Sequence, residues 1–150
     1  MGPESVTPQG LNRLKLDEGL RLKAYPDPLT GDDPWTIGYG CTGSGISKGV
    51  TWTQKKANDE ILNRVKTIEA QLTKKLSFFS SLSPVRQDVL VNLAYNIGVA
   101  GLMKWTHTLS DIGREDYKAA ADAIRKNRTY FRQVGARCTR LADAVENDSW

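Results

Sequence analysis

One apolar stripe limits the fold more than any other feature of the chain. Ala57, Ile61, Leu62, Val65, Ile68, Leu72 and Leu76 recur at steps of one, three and four residues. That is the repeat of one face of an α-helix. Thr53 stands ahead of the stripe as an N-cap. The spacing predicts a helix over 54–75, roughly 30 Å long at about 1.5 Å per residue. A helix of that length in a 150-residue chain is expected to connect two lobes.

The segments on either side differ in kind. Thr7-Pro8 is a cap followed by a proline suited to the first helical position, and Leu11 and Leu14 follow at helical spacing. Gly19 is the expected stop, so a first helix runs over 8–18. Residues 24–51 are rich in glycine and proline, with short groups such as WTIGYG between turn signals. This predicts a small irregular antiparallel sheet rather than a long loop. After residue 77 the pattern is helical again. Ser83-Pro84 repeats the cap-then-proline signal, Val85, Val89, Leu90, Leu93, Ala94 and Ile97 make a strongly apolar helix, and Gly98 ends it. Further helices are expected over 105–112, 115–126 and 137–145, with a short one in the mixed stretch 127–136. The fold class is therefore α+β: one domain over 1–150, with a small sheet-bearing lobe (1–53), a connecting helix (54–75) and an all-α lobe (77–150). Clefts between lobes are favoured places for ligand sites.

Composition narrows the chemistry. No apolar run reaches the ~20 residues that cross a bilayer, and the N-terminus lacks a basic region followed by an apolar one. Neither a membrane span nor a secretory signal is expected. The net charge of +4 favours anionic polymers, but the basic residues form no block of the kind that nucleic-acid modules concentrate. Cys41 and Cys138 are too few and too distant for a disulfide framework or a zinc site, and His107 is the only histidine. It sits in KWTHTLSD and reads as a surface or capping residue. No metal and no cofactor are expected. If the chain is an enzyme, carboxylates carry its proton transfers.

Glu18 is the carboxylate in the least ordinary place. It lies four and seven residues after Leu14 and Leu11, on the apolar face of the first helix, at its C-terminal end. The helix dipole disfavours negative charge there, and desolvation acts in the same direction. A carboxylic acid kept protonated is what a leaving glycosidic oxygen requires. By position alone a solvated Glu at a frayed helix end remains an open reading. Asp27 follows nine residues later in YPDP, flanked by prolines that restrict the backbone. Asp32 and Asp33 are rival carboxylates in the next turn. Thr36 opens a strand in WTIGYG, and its hydroxyl can both donate to and accept from a water.

Together these residues carry a resemblance. DEGLRLKAYPDP followed by TIGYG resembles the phage-type lysozymes, or endolysins, and among them the T-even phage lysozymes. LSPVRQDVLVNLAYNIGVAGL is similar to that family's central helix and following turn, FRQVGARCTRL to its segment with two arginines, and the closing DSW to its C-terminal tryptophan. Nearly the whole chain is covered. The resemblance implies hydrolysis of the β-1,4 bond between N-acetylmuramic acid and N-acetylglucosamine in peptidoglycan, with inversion. Glu18 would protonate the leaving oxygen, and Asp27 and Thr36 would hold and activate the water. It further implies that Arg137 lies close to Glu18, opposing the effect of burial on its proton affinity. It pairs Arg140 with Asp17 and lines the sugar cleft with Tyr95 and Asn96. It implies a monomer without cofactor, made in the host cytoplasm and released to the wall by a separate membrane-permeabilising protein. Carriage in the virion is the alternative route. A lytic transglycosylase and a non-catalytic wall-binding module are the competing readings.

Two departures accompany it. The Asp27–Thr36 interval is longer than in the T-even members, with the extra residues in LTGDDPW. Cys41 stands where the family often has a histidine.

Overall fold

The computed structural model describes residues 6–150. The described residues form two compact units, one of residues 12–67 and one of residues 6–11 with 68–150. The helices over Pro8–Glu18 and Gln54–Lys75 contribute residues to both.

α1 spans Pro8–Glu18. Thr7 caps it: its Oγ1 accepts from the Gly10 N–H at 2.9 Å. At the other end the Gly19 N–H reaches back to the Lys15 carbonyl at 2.9 Å, with Gly19 at φ +74. That left-handed residue is cheap for glycine and ends the helix where the sequence predicts.

The small sheet is antiparallel and two-stranded, β1 (Arg21–Tyr25) against β2 (Thr36–Gly38). Arg21 faces Gly38 and Tyr25 faces Thr36, with an irregularity between these pairs. Residues 50–52 run along the other edge of β1: the Ala24 N–H donates to Val50 O and the Trp52 N–H to Leu22 O, each at 2.9 Å. α2 then spans Gln54–Lys75, with Thr53 Oγ1 accepting from the Lys56 N–H at 3.1 Å. Leu14, Ala24, Ile37, Tyr39, Cys41, Ala57, Ile61 and Val65 form the core of the 12–67 unit. Of the predicted stripe, Ala57, Ile61, Val65, Leu72 and Leu76 are buried, Ile68 is half-buried and Leu62 is 37% exposed. It sits directly after Ile61, 100° round the helix, so only one of the two faces the core fully.

The other unit is helical. A 3₁₀ turn (Phe79–Ser81) leads into α3 (Pro84–Ile97), followed by α4 (Val99–Met103), α5 (Thr106–Gly113), α6 (Tyr117–Arg125), α7 (Arg128–Val134) and α8 (Ala136–Asn147). α6 packs on α5 and α8, and α3 on α4 and α8. Every residue of α3 from Asp88 to Ala94 is buried. A helix apolar on all sides belongs in a core. Two polar residues in this stretch, Asp88 and Asn92, are each 2% exposed. The 3₁₀ turn and α4 were not anticipated. Both are single turns, too short to show a periodic pattern. No helix among the described residues is long and apolar enough to cross a membrane.

Candidate active site

Glu18, Asp27 and Thr36 all lie in the 12–67 unit. Glu18 is the last residue of α1 and is half-buried. Its carboxylate lies against the backbone of Gly40: a Cβ at position 40 would stand 2.5 Å from Glu18 Oε1. Gly40 belongs to a tight loop closed by Ile37 and Cys41, whose N–H and C=O groups bond reciprocally at 2.9 and 2.8 Å. Glycine is required twice in that loop. Gly38 (φ +67) lies under the Trp52 ring, where a Cβ would meet it at 2.8 Å, and Gly40 has φ +75. Tyr39 between them is buried, its hydroxyl 3.3 Å from Asn58 Oδ1 and its ring 5.6 Å from Lys15 Nζ. Sequence reasoning passed over Gly40. The signal was present in the alternate glycines of TIGYG.

Asp27 is half-buried and held in place. Its Oδ1 accepts from the Leu29 N–H at 2.8 Å. Its own N–H donates to Asp32 O at 2.9 Å, and its carbonyl accepts from the Gly31 N–H at 2.7 Å. The longer loop is thus a closed turn anchored on Asp27. The rival acids are engaged differently. Asp32 is exposed and accepts from Trp35 Nε1 at 3.2 Å. Asp33 is exposed, its carbonyl accepts from Thr30 Oγ1 at 3.2 Å, and the Asp33–Pro34 peptide bond is cis. Thr36, half-buried, opens β2 opposite Tyr25, two residues before Asp27. The strand register therefore sets Asp27 and Thr36 at one end of the sheet. Glu18 enters at the other end, just before Arg21. Asp17, its neighbour on α1, is half-buried.

The remaining predicted residues belong to the helical unit. Asn96 lines a groove of about 370 Å³ together with Ile97, Gly101, Trp105, Asn127, Thr129, Tyr130 and Gln133. Three amides, two hydroxyl-bearing side chains and two aromatic rings are a surface suited to a hydroxyl-rich ligand. Tyr95 is half-buried beside it in sequence but does not line the groove. Arg137, on α8, is 7% exposed, and its Nε donates to Asn92 Oδ1 at 3.0 Å. Arg140 lies three residues on and is half-buried. Asn92 was missed by sequence reasoning. An amide inside the apolar run of α3 is the pattern that marks a buried hydrogen-bonding partner. Cys41 and Cys138 are buried and lie outside any disulfide. Among the described residues no three His, Cys, Asp or Glu side chains are grouped to hold a metal ion.

Comparison with known proteins identifies the family. Residues 15–140 match the family model described as phage lysozyme. The chain is 32% identical over 123 residues to the endolysin of Salmonella phage P22, covering 79% of this chain and 80% of that protein. It is 36% identical over 94 residues to the endolysin of Bacillus phage PZA, covering 63% of this chain and 35% of that one. With the endolysin of Bacillus phage B103 it shares 30% identity over 122 residues, 81% of this chain and 45% of its relative. The chain thus spans less than half the length of these two Bacillus phage proteins. Its helical C-terminal part, its short antiparallel sheet and the extent of these matches lead to one assignment: the chain belongs to the phage lysozyme family.

Proposed function

We propose that the chain hydrolyses bacterial peptidoglycan as a muramidase, cleaving the β-1,4 bond between N-acetylmuramic acid and N-acetylglucosamine with inversion. The observation that carries this reading is the grouping in one unit of a helix-terminal Glu18 against Gly40 with a turn-held Asp27 and a strand-opening Thr36. Glu18 donates its proton to the leaving glycosidic oxygen. Asp27 accepts a proton from the attacking water, which the Thr36 hydroxyl orients. Inversion requires the two carboxyl groups to stand about 6.5–9.5 Å apart, leaving room for a water, rather than at the closer spacing of a direct nucleophile. Asp27 is favoured over Asp32 and Asp33 because it is half-buried and restrained, whereas Asp32 is committed to Trp35. In the same reading Arg137 and Arg140 support Glu18 and Asp17, and Tyr95 and Asn96 bind sugar. The protein works as a monomer without a cofactor and reaches the wall when a separate protein opens the membrane.

Glu18→Gln tests the assignment. The variant is expected to keep its circular dichroism and melting temperature yet fail to clear permeabilised Gram-negative cells. Retained lysis overturns the reading. Mass spectrometry of the released fragments separates the chemistries, since a transglycosylase leaves anhydro ends lighter by one water. Proton NMR of the first product distinguishes inversion from retention.

A further inference from the structure

From Ala123 to Ala142 the chain has no acidic residue and six basic ones: Arg125, Lys126, Arg128, Arg132, Arg137 and Arg140. The proposed hydrolysis uses only the last two. Arg125 is engaged by Asp122, Asp143 and Glu146 at 3.0, 2.8 and 2.7 Å. No ion pair among the described residues involves Arg128 or Arg132, and both are exposed.

α7 carries these two arginines in an unusual setting. Tyr130 anchors the helix: it is 2% exposed and meets the Trp105 ring edge-on at 5.2 Å. Asn127 Oδ1 caps the first turn by accepting from the Tyr130 N–H. At 100° per residue, Phe131, Arg128 and Arg132 fall within an arc of about 100° on a face turned away from Tyr130. Phe131 is 50% exposed. It lines a shallow groove of about 230 Å³ with Arg125, Arg128 and Arg132. A phenylalanine ordinarily belongs on the core side of a helix. Here the chain places it in solvent, between guanidinium groups.

We propose that this face of α7 docks on anionic phospholipid, with Arg128 and Arg132 on headgroup phosphates and the Phe131 ring in the apolar boundary beneath them. Guanidinium groups match phosphate oxygens in bidentate geometry. An exposed aromatic among cationic residues is the composition of an interfacial contact, in which apolar burial and electrostatic attraction add. A soluble polyanion would engage the arginines and leave the ring unused. A nucleic-acid strand requires a track of charge and stacked rings, and two turns of helix with one ring do not supply it.

The test is sedimentation of the whole protein with vesicles of phosphatidylcholine alone and of equimolar phosphatidylcholine and phosphatidylglycerol. Binding is expected only to the anionic vesicles and is expected to weaken with salt. Arg128→Gln and Arg132→Gln should each lower the partition about five-fold. Phe131→Ser should lower it by at least that factor with both charges intact. Lys74→Gln, on another helix, should leave it unchanged. Failure to bind anionic vesicles, equal binding to both compositions, or binding insensitive to Phe131 overturns the proposal. So does competition by short duplex DNA that Phe131→Ser leaves unaltered, which would mark a site for soluble polyanions. The measurement reads binding alone and stands or falls separately from the hydrolytic reading.

Discussion

Gly40 makes room for the carboxylate of Glu18: a single added Cβ at position 40 would lie 2.5 Å from Oε1. The glycine also sits at φ +75, where an L-residue is strained. Gly40→Ala is therefore expected to act twice. The backbone term costs about 1–2 kcal/mol of stability. Displacing the acid lowers turnover by about 10- to 100-fold, since a shift of about 1 Å at a reacting group has effects of that order. Gly45→Ala separates the two. Gly45 has φ +82 and nothing within 4 Å of its would-be Cβ. It should lose stability and keep activity. Equal activity losses in both variants would argue against the contact.

The three aspartates of the loop are expected to separate cleanly. Asp27→Asn should reduce lysis by at least about 100-fold if it is the base that activates water. Asp33→Asn should leave activity within about two-fold, and Asp32→Asn should act only modestly, through loss of the Trp35 contact. Turnover of purified peptidoglycan measures all three. An inactive Asp32 or Asp33 variant beside an active Asp27 variant would reassign the base.

Asp88 ties Thr7 and Trp150 to α3. Its carboxylate accepts from the Thr7 N–H at 2.8 Å, the Thr7 hydroxyl at 2.5 Å and Trp150 Nε1 at 3.1 Å. Burial raises its proton affinity above the ordinary aspartate value, against the hydrogen bonds from Thr7 and Trp150, which lower it. A carboxyl that holds its proton more tightly when folded makes the native state bind more protons than the unfolded chain. Stability contributed by this group is then complete below the unfolded pKa of about 4 and declines as pH rises through the higher folded value. Asp88→Asn mimics the protonated form. It should be the less stable protein in acid, because it cannot accept every bond, and the deficit should narrow toward neutrality. Urea unfolding at several pH values measures the gap. A deficit that widens with pH would contradict the assigned direction. Gly10→Ala should be destabilising for a related reason, because a Cβ there collides with the Asp88 carboxylate.

Cys41 and Cys138 should be inert in the folded protein. Both are fully buried, burial raises the Cys138 thiol, and its Sγ donates to the Ile124 carbonyl at 3.3 Å. The thiolate is the reactive form, so modification by a disulfide reagent is expected to be at least about 100-fold slower than in the unfolded chain. Two equivalents should react after denaturation. Rapid native reaction of either thiol would contradict its burial.

Much of this protein was legible from local rules. The boundaries of α1 and α2 and the limits of α3 follow from Thr7, Gly19, Thr53, Ser83 and Gly98, because caps and left-handed glycines act within one turn of the chain. The candidate set Glu18, Asp27 and Thr36 was singled out by spacing and by resemblance. The sequence could not decide what depends on which groups meet. That Gly40 accommodates the Glu18 carboxylate, that the extra loop closes on Asp27 and commits Asp32 to Trp35, that Arg137 is held by Asn92, and that Asp88 joins Thr7 to Trp150 are products of packing between residues up to 81 positions apart. Periodicity identifies an apolar face. It does not say which polar group inside that face finds a partner, because hydrogen bonding at a buried atom is decided by the element packed against it.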